Sequence, residues 1–215
     1  MDLPSGTDGA ALLGFGAVFT LLFVTLGPLK ILGPFAQMTR DVDDATMRKI
    51  AVRAFVIALV AVVAGGVLGR ALMYNWNISP PTMLLAGGII FLLVGLRVVL
   101  EQYQPVHPAP PPLPTAPLAA AMRITFPTVV TPYGIAALII LLANSHDNAR
   151  TLGILAVLLG VMVLNLVAML FARRTMSGVT LIALQILGAV LGVLQVALAA
   201  EMVLRGLRDL GVLQR

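Results

Sequence analysis

The sequence contains no cysteine and little charge. Without cysteine there is no disulfide framework, no thiolate metal site and no cysteine nucleophile. Charged residues make up 11% of the 215, against about 25% in a soluble domain. Histidine occurs twice, as His107 and His146. His146-Asp147 is an adjacent pair in a short polar connection, which is too little for a metal centre. No apolar run carries two carboxylates, so general acid/base chemistry has no pair to work with. The stretch from Gly27 to Lys30 lacks the G-x-x-x-x-G-K-[ST] spacing of a phosphate loop. The expectation is therefore no catalytic residue, no metal and no cofactor; an intramembrane enzyme is the weakest of the functional readings.

What the sequence has is apolar length. Hydrophobic residues make up 60% and the mean hydropathy is +1.02. Apolar runs recur at 11–35, 50–74, 82–100, 118–143, 151–172 and 178–204, each long enough for a spanning helix, which needs roughly 17–25 residues. This predicts an all-α polytopic membrane protein with six transmembrane helices, whose first partner is the lipid bilayer. The net charge of +5 does not point to nucleic acid, because the basic residues stand singly or in pairs between apolar runs. Met1 to Ala10 holds Asp2 and Asp8 but no Lys or Arg. It lacks the positive start of a secretory signal, and the first run reads as an uncleaved span.

Basic residues also orient the spans. Arg40, Arg48, Lys49, Arg53, Arg97, Arg123, Arg173 and Arg174 fall on one side, and Arg70, Arg150, Arg205, Arg208 and Arg215 on the other. The richer side is expected to be cytoplasmic, with both termini outside. Between the third and fourth runs, residues 104–117 include seven prolines, which predicts a polyproline-like linker. It divides the chain into repeats 1–103 and 118–215. Asp43, Asp44 or Thr46 is expected to cap the second helix.

Two runs carry interruptions that an ordinary span avoids. Gly27-Pro28-Leu29-Lys30-Ile31-Leu32-Gly33-Pro34 puts two prolines, two glycines and a charge into the first, and Pro127-Thr128-Val129-Val130-Thr131-Pro132-Tyr133-Gly134 interrupts the fourth. Proline removes a backbone donor and crowds the preceding turn, so these helices must break or bend. Freed backbone groups are tolerated at membrane depth only where protein buries them or water reaches them. Paired breaks in two halves point to a transporter's binding site. The candidate substrate-binding residues are Gly27, Pro28, Lys30, Gly33, Thr128, Thr131, Pro132, Tyr133 and Gly134. Lys30 either meets an anionic group or snorkels to the interface. The threonines either face a ligand or back-bond to their own helix.

An offset of 104 carries Pro28 to Pro132, Asp43 to Asp147, Gly88 to Gly192 and Arg97 to Glu201. Three spans per half reverse the orientation between halves, so the offset predicts a 3+3 inverted repeat with proline-broken helices 1 and 4. Gly65-x-x-x-Gly69, Ala86-Gly87-Gly88 and Gly188-x-x-x-Gly192 predict close helix packing. Gln185, Gly188, Gly192 and Gln195 form a polar, small-sided face directed at the third span or at a cavity. Asn165 in the fifth span is expected to hydrogen-bond between helices.

These motifs resemble the MarC-type integral membrane proteins (UPF0056-like), a branch of the LysE-like exporter superfamily. Gly27-Pro28-Leu29-Lys30 leading to Phe35-Ala36-Gln37-Met38-Thr39 is similar to the family's Asn-Pro-x-Gly stretch. Asn77-Ile78-Ser79, Ala86-Gly87-Gly88-Ile89-Ile90 and Gly95-Leu96-Arg97 follow its third span, and Pro127 through Ile135 its fourth. The resemblance implies six helices, residence in the bacterial inner membrane and a transport role without an agreed substrate. Gly27 stands in place of the usual Asn, Lys30 in place of a small residue, and Thr131 and Tyr133 in place of small residues around Pro132. The function expected is secondary transport or export of an unidentified small molecule or ion, in a chain able to form homo-oligomers. The alternative is a non-transporting membrane scaffold.

Overall fold

The computed structural model describes residues 14–101, 116–145, 147–175 and 179–213, and every regular element among them is helical. The first apolar run forms two helices, α1 (Phe15–Leu26) and α2 (Leu29–Met38). Gly27 between them is extended, with φ −77° and ψ 171°. A Cβ built there would lie 1.8 Å from the Phe23 carbonyl oxygen, so the helix end closes only on glycine. Pro28 then starts the next helix, its carbonyl accepting the Ile31 and Leu32 N–H groups at 3.2 Å each. The break is narrower than the sequence suggests, because Gly33 and Pro34 lie inside α2. Gly33 has no Cβ to collide with the ring of Pro34, which removes one of proline's two objections to helix.

The remaining elements are α3 (Asp44–Asn75), α4 (Pro80–Glu101), α5 (Pro117–Ile124), a π-helical turn (Thr125–Val129), α6 (Pro132–Ala143), α7 (Asn148–Thr175) and α8 (Val179–Asp209). The second interruption is longer than the first. Phe126 leaves helical geometry at φ −112° and ψ 123°, Val130 is extended, and the axes on either side differ by 64°. Of the proline-rich connection only Ala116 and Pro117 are described, Pro117 opening α5; the rest of it, His107 and Met1 to Ala10 lie outside the described residues. Two aspartates cap the long helices. Asp43 accepts the Thr46 N–H at 2.9 Å ahead of α3, and Asp147, at the predicted offset, accepts the Arg150 N–H ahead of α7.

Among the described residues, four helical stretches are long and apolar enough to cross a membrane: Phe15–Met38 taken across its break, Asp44–Asn75, Pro80–Arg97 and Asn148–Arg174. The bent pair Pro117–Val129 and Pro132–Ala143 makes five if counted as one span. The chain is thus a multi-pass membrane protein. Val52, Val56 and Val60 on α3, Leu93 and Leu100 on α4, and Val190 and Val193 on α8 are exposed. In this setting they form the coat that meets lipid. Tyr74 and Trp76, both exposed at the end of α3, are residue types enriched at the membrane–water boundary.

Lipid offers no hydrophobic drive between helices, so close approach at small residues does that work. α3 lays Gly65, Gly66 and Gly69 against Ile135, Leu138 and Ile139 of α6. α4 and α8 run antiparallel with their backbones in contact, Gly88 against Val203 and Ala199, Gly95 against Val196, and Gly206 against Leu85. Gln195 of α8 reaches the Phe91 carbonyl of α4 at 3.4 Å, so the polar face of the sixth run is turned to the third, as expected. The side chains of Gln185 and Gly188 lie outside the described residues. α3 packs on both α5 and α6, and α7 on both α1 and α2. Each long helix thereby supports the broken run of the other half.

Two outcomes follow. Gly88→Val places a methyl-bearing carbon against the Val203 amide nitrogen at 2.8 Å and the Ala199 oxygen at 3.1 Å, neither of which can swing aside. It is expected to cost about 1–3 kcal/mol, read as a lower melting temperature in detergent. Asp43 is held below its ordinary pKa of 3.8, chiefly by the Thr46 N–H and then by the Thr46 hydroxyl. A depressed carboxylate stabilises above its unfolded pKa and loses that contribution as pH falls through the folded value. Asp43→Ala should therefore melt earlier than the native chain at pH 7, with the gap closing below pH 3.8; Asp43→Asn should retain most of the cap.

Candidate functional site

The break after α1 frees carbonyls at its C-terminal end, and the break before α6 frees amides at its N-terminal end. Both ends are brought together. Gly134 sits so close to Leu26 that an added Cβ would meet the Leu26 side chain at 2.3 Å. Thr131, 6% exposed, serves both: its hydroxyl accepts the Gly134 N–H at 3.2 Å as the cap of α6, and lies 3.4 Å from the Thr25 carbonyl, to which it donates. The last carbonyl of α1, that of Leu26, accepts from the Asn165 side-chain amide of α7. Asn165 is 1% exposed.

Lys30, in the first turn of α2, crosses to the other break rather than running to the surface. Its ammonium donates to the Tyr133 hydroxyl at 2.6 Å and stands 4.3 Å from the centre of the same ring. Both residues are half-buried. A positive charge, a phenol, a threonine hydroxyl, a carboxamide and two helix ends of opposite polarity thus share one region. The N-terminal end of α6 is suited to an anionic group and the C-terminal end of α1 to a cationic one.

Gly27, Pro28, Lys30, Thr131, Pro132, Tyr133 and Gly134 all belong to this junction. Gly33 lies within α2 beyond it, and Thr128 is half-buried in the π-helical turn. Thr25 takes the bland alternative, its hydroxyl returning to the Leu21 carbonyl at 2.7 Å. Asn165 is the residue that binding-site reasoning on the sequence missed; its type and its place in an apolar run gave the signal, but its partner was not visible. Among the described residues no group of His, Asp or Glu is placed to hold a metal ion.

Two arginines counted only as orientation signals hold the turns at opposite ends of the molecule. Arg173, near the end of α7, pairs with Asp44 at 2.7 Å and donates to the Thr39 and Val42 carbonyls in the turn after α2. Arg70, near the end of α3, donates to the Ser145 carbonyl in the turn after α6 at 3.5 Å. The two sets of contacts run α3 and α7 antiparallel. Arg123 lies in the last turn of α5, half-buried beside the second interruption.

Comparison with known proteins agrees with this architecture. A sequence model described as MarC family integral membrane protein matches residues 12–210. A UPF0056 membrane protein of Methanocaldococcus jannaschii is 25% identical over 204 residues, covering 90% of this chain and 96% of its own. No solved structure matches.

Thr131→Val preserves shape and removes both the cap bond from Gly134 and the bond across the junction to Thr25. Loss of an N-cap costs about 1 kcal/mol. The variant is expected to melt several degrees lower, and Thr131→Ser to recover most of the difference, in a thermal shift series on the purified chain.

Proposed function

Since the chain belongs to the MarC family of integral membrane proteins, we propose that it is a secondary transporter that moves a small solute through the junction of its two broken helices. The observation that carries this reading is the Lys30 to Tyr133 contact. It joins the two interruptions, at a point where helix ends of both polarities converge. Each freed carbonyl or amide in lipid costs several kcal/mol unless satisfied, so the two breaks meet and gather their polar groups at one place, which is where a solute would find them.

The proposed architecture has six spans in a 3+3 inverted repeat: α1 with α2, α3 and α4, then α5 with α6, α7 and α8. Three features support it. The aspartate caps recur 104 residues apart. α3 and α7 exchange their supporting contacts with the broken runs. The pairs α3 with α7 and α4 with α8 are each antiparallel, as equivalent helices of inverted halves must be. Such repeats permit one half to rock against the other around a fixed central site. Lys30 and the amides of α6 would take an anionic part of the solute. In this reading the richer basic set, with Arg40 to Arg53 and Arg173 and Arg174, faces the cytoplasmic side of a bacterial inner membrane. No covalent chemistry and no cofactor enter this proposal.

The natural lack of cysteine makes the test direct. Single cysteines at Leu29, Lys30, Thr131 and Tyr133 are labelled in intact cells and in inverted vesicles with a membrane-impermeant maleimide. Labelling from both sides is the expected result and marks a water-filled path with alternating access. Labelling from neither side, while cysteines in the turns react, would overturn transport and leave a membrane scaffold whose breaks are sealed.

A further inference from the structure

Asn165 carries a feature that the transport reading has not used. Its amide nitrogen donates to the Leu26 carbonyl, and a carbonyl can only accept, so the orientation of the carboxamide is fixed. Oδ1 therefore faces away from Leu26. It is fully buried and has no hydrogen-bond partner among the described residues. A buried acceptor left unpaired costs about 1–3 kcal/mol, and unsatisfied groups of this kind are uncommon enough in native proteins to call for a reason. Replacing Asn165 by leucine of similar size would remove the burden, except that Leu26 would then lose its donor.

The surroundings say which sort of group would relieve it. Asn165 stands at the C-terminal end of α1, where the Leu26 carbonyl meets it; the neighbouring Thr25 carbonyl accepts from Thr131. A helix C-terminus carries about half a negative charge. Carbonyls and a carboxamide oxygen are hard oxygen donors, the set that unwound membrane helices offer to small cations. Carbonyl oxygens have a second lone pair, so Leu26 can serve Asn165 and a ligand together. Lys30 is engaged on the opposite break, with Tyr133.

We propose that Asn165 is a binding residue and that Oδ1, in the negative field of the C-terminal end of α1, takes a small cationic group: an alkali-metal ion or the ammonium of a transported solute. This deepens the transport reading and rests on it only for the use made of the group, as coupling ion or as part of the cargo. Two poles then face each other across the junction, a cationic one at Lys30 and an acceptor one at Asn165.

The test is a titration of the purified full chain in detergent, at constant ionic strength, against a choline chloride background. Sodium chloride and methylammonium chloride are the probes, and melting temperature is the readout. A saturable rise of a few degrees is expected, since a ligand that binds only the folded state stabilises it. A response to sodium alone assigns an alkali ion; a response to methylammonium alone assigns a solute ammonium; a response to both assigns the shared chemistry. Asn165→Leu should abolish the rise. Asn165→Asp, which keeps the oxygen and adds charge, should lower the half-saturating concentration by about tenfold. If the leucine variant does not fold, the aspartate variant decides. Indistinguishable melting in all three salts, or an unchanged half-saturation in Asn165→Asp, would overturn the proposal. Binding is read here without flux. Saturable binding in a chain whose breaks resist the maleimide would therefore keep this site while transport is lost, and open breaks without a cation effect would do the reverse.

Discussion

A broken helix in lipid must find partners for every backbone group it frees, and this one requirement arranges the molecule. Two runs are interrupted, and although Thr131 caps the Gly134 N–H within the second, the carbonyls freed by the first are met from the other half. Thr25 is met by Thr131, Leu26 by Asn165, and Lys30 reaches Tyr133. All of these bonds span more than 100 residues of sequence. The halves are consequently stitched together at the place where each is weakest, and the polarity concentrated there follows from the repair. In the transport reading the repair also serves as chemistry, because water-excluded hydrogen-bonding groups are the raw material of a selective site.

Much of the fold was written plainly in the chain. Apolar length gave the membrane, proline and glycine gave the breaks, and Gly65, Gly69 and Gly88 gave the close contacts, since these depend on local composition or on one small residue at a time. Pro34 misled because a proline's effect depends on its neighbour, and Gly33 softens it. The contacts of the arginines were not legible, for a different reason. Arg173 and Thr39 are 134 residues apart and Arg70 and Ser145 are 75 apart, and no periodicity in either segment announces the other. Asn165 was half legible: an amide in an apolar run must bond across helices, but only the assembled structure says that its partner is the cut end of α1.

The packing divides labour between two kinds of contact. α4 and α8 meet backbone to backbone, through glycine and alanine, with one polar bond from Gln195 to Phe91. That seam is close-packed and has little room to change. α3 and α7 instead support broken runs and face the polar junction. A rigid pair beside a pair that carries the interruptions is the arrangement in which small movements at the breaks leave the rest of the bundle undisturbed.

The arginine contacts at the two ends are related by position but unequal in strength. Among the described residues, one guanidinium holds a carboxylate and two carbonyls, and its counterpart, beside the Tyr74 ring, holds one carbonyl at 3.5 Å. An inverted repeat with identical ends would have no preferred direction. In the proposed transporter one face is bolted and the other held more loosely, so opening has a threshold to cross in one sense that it lacks in the other. The bolt is partly exposed, with Asp44 in contact with solvent, and the Debye length shrinks as salt is added. In that proposal the ionic strength on the side that carries Asp44 sets the height of the threshold.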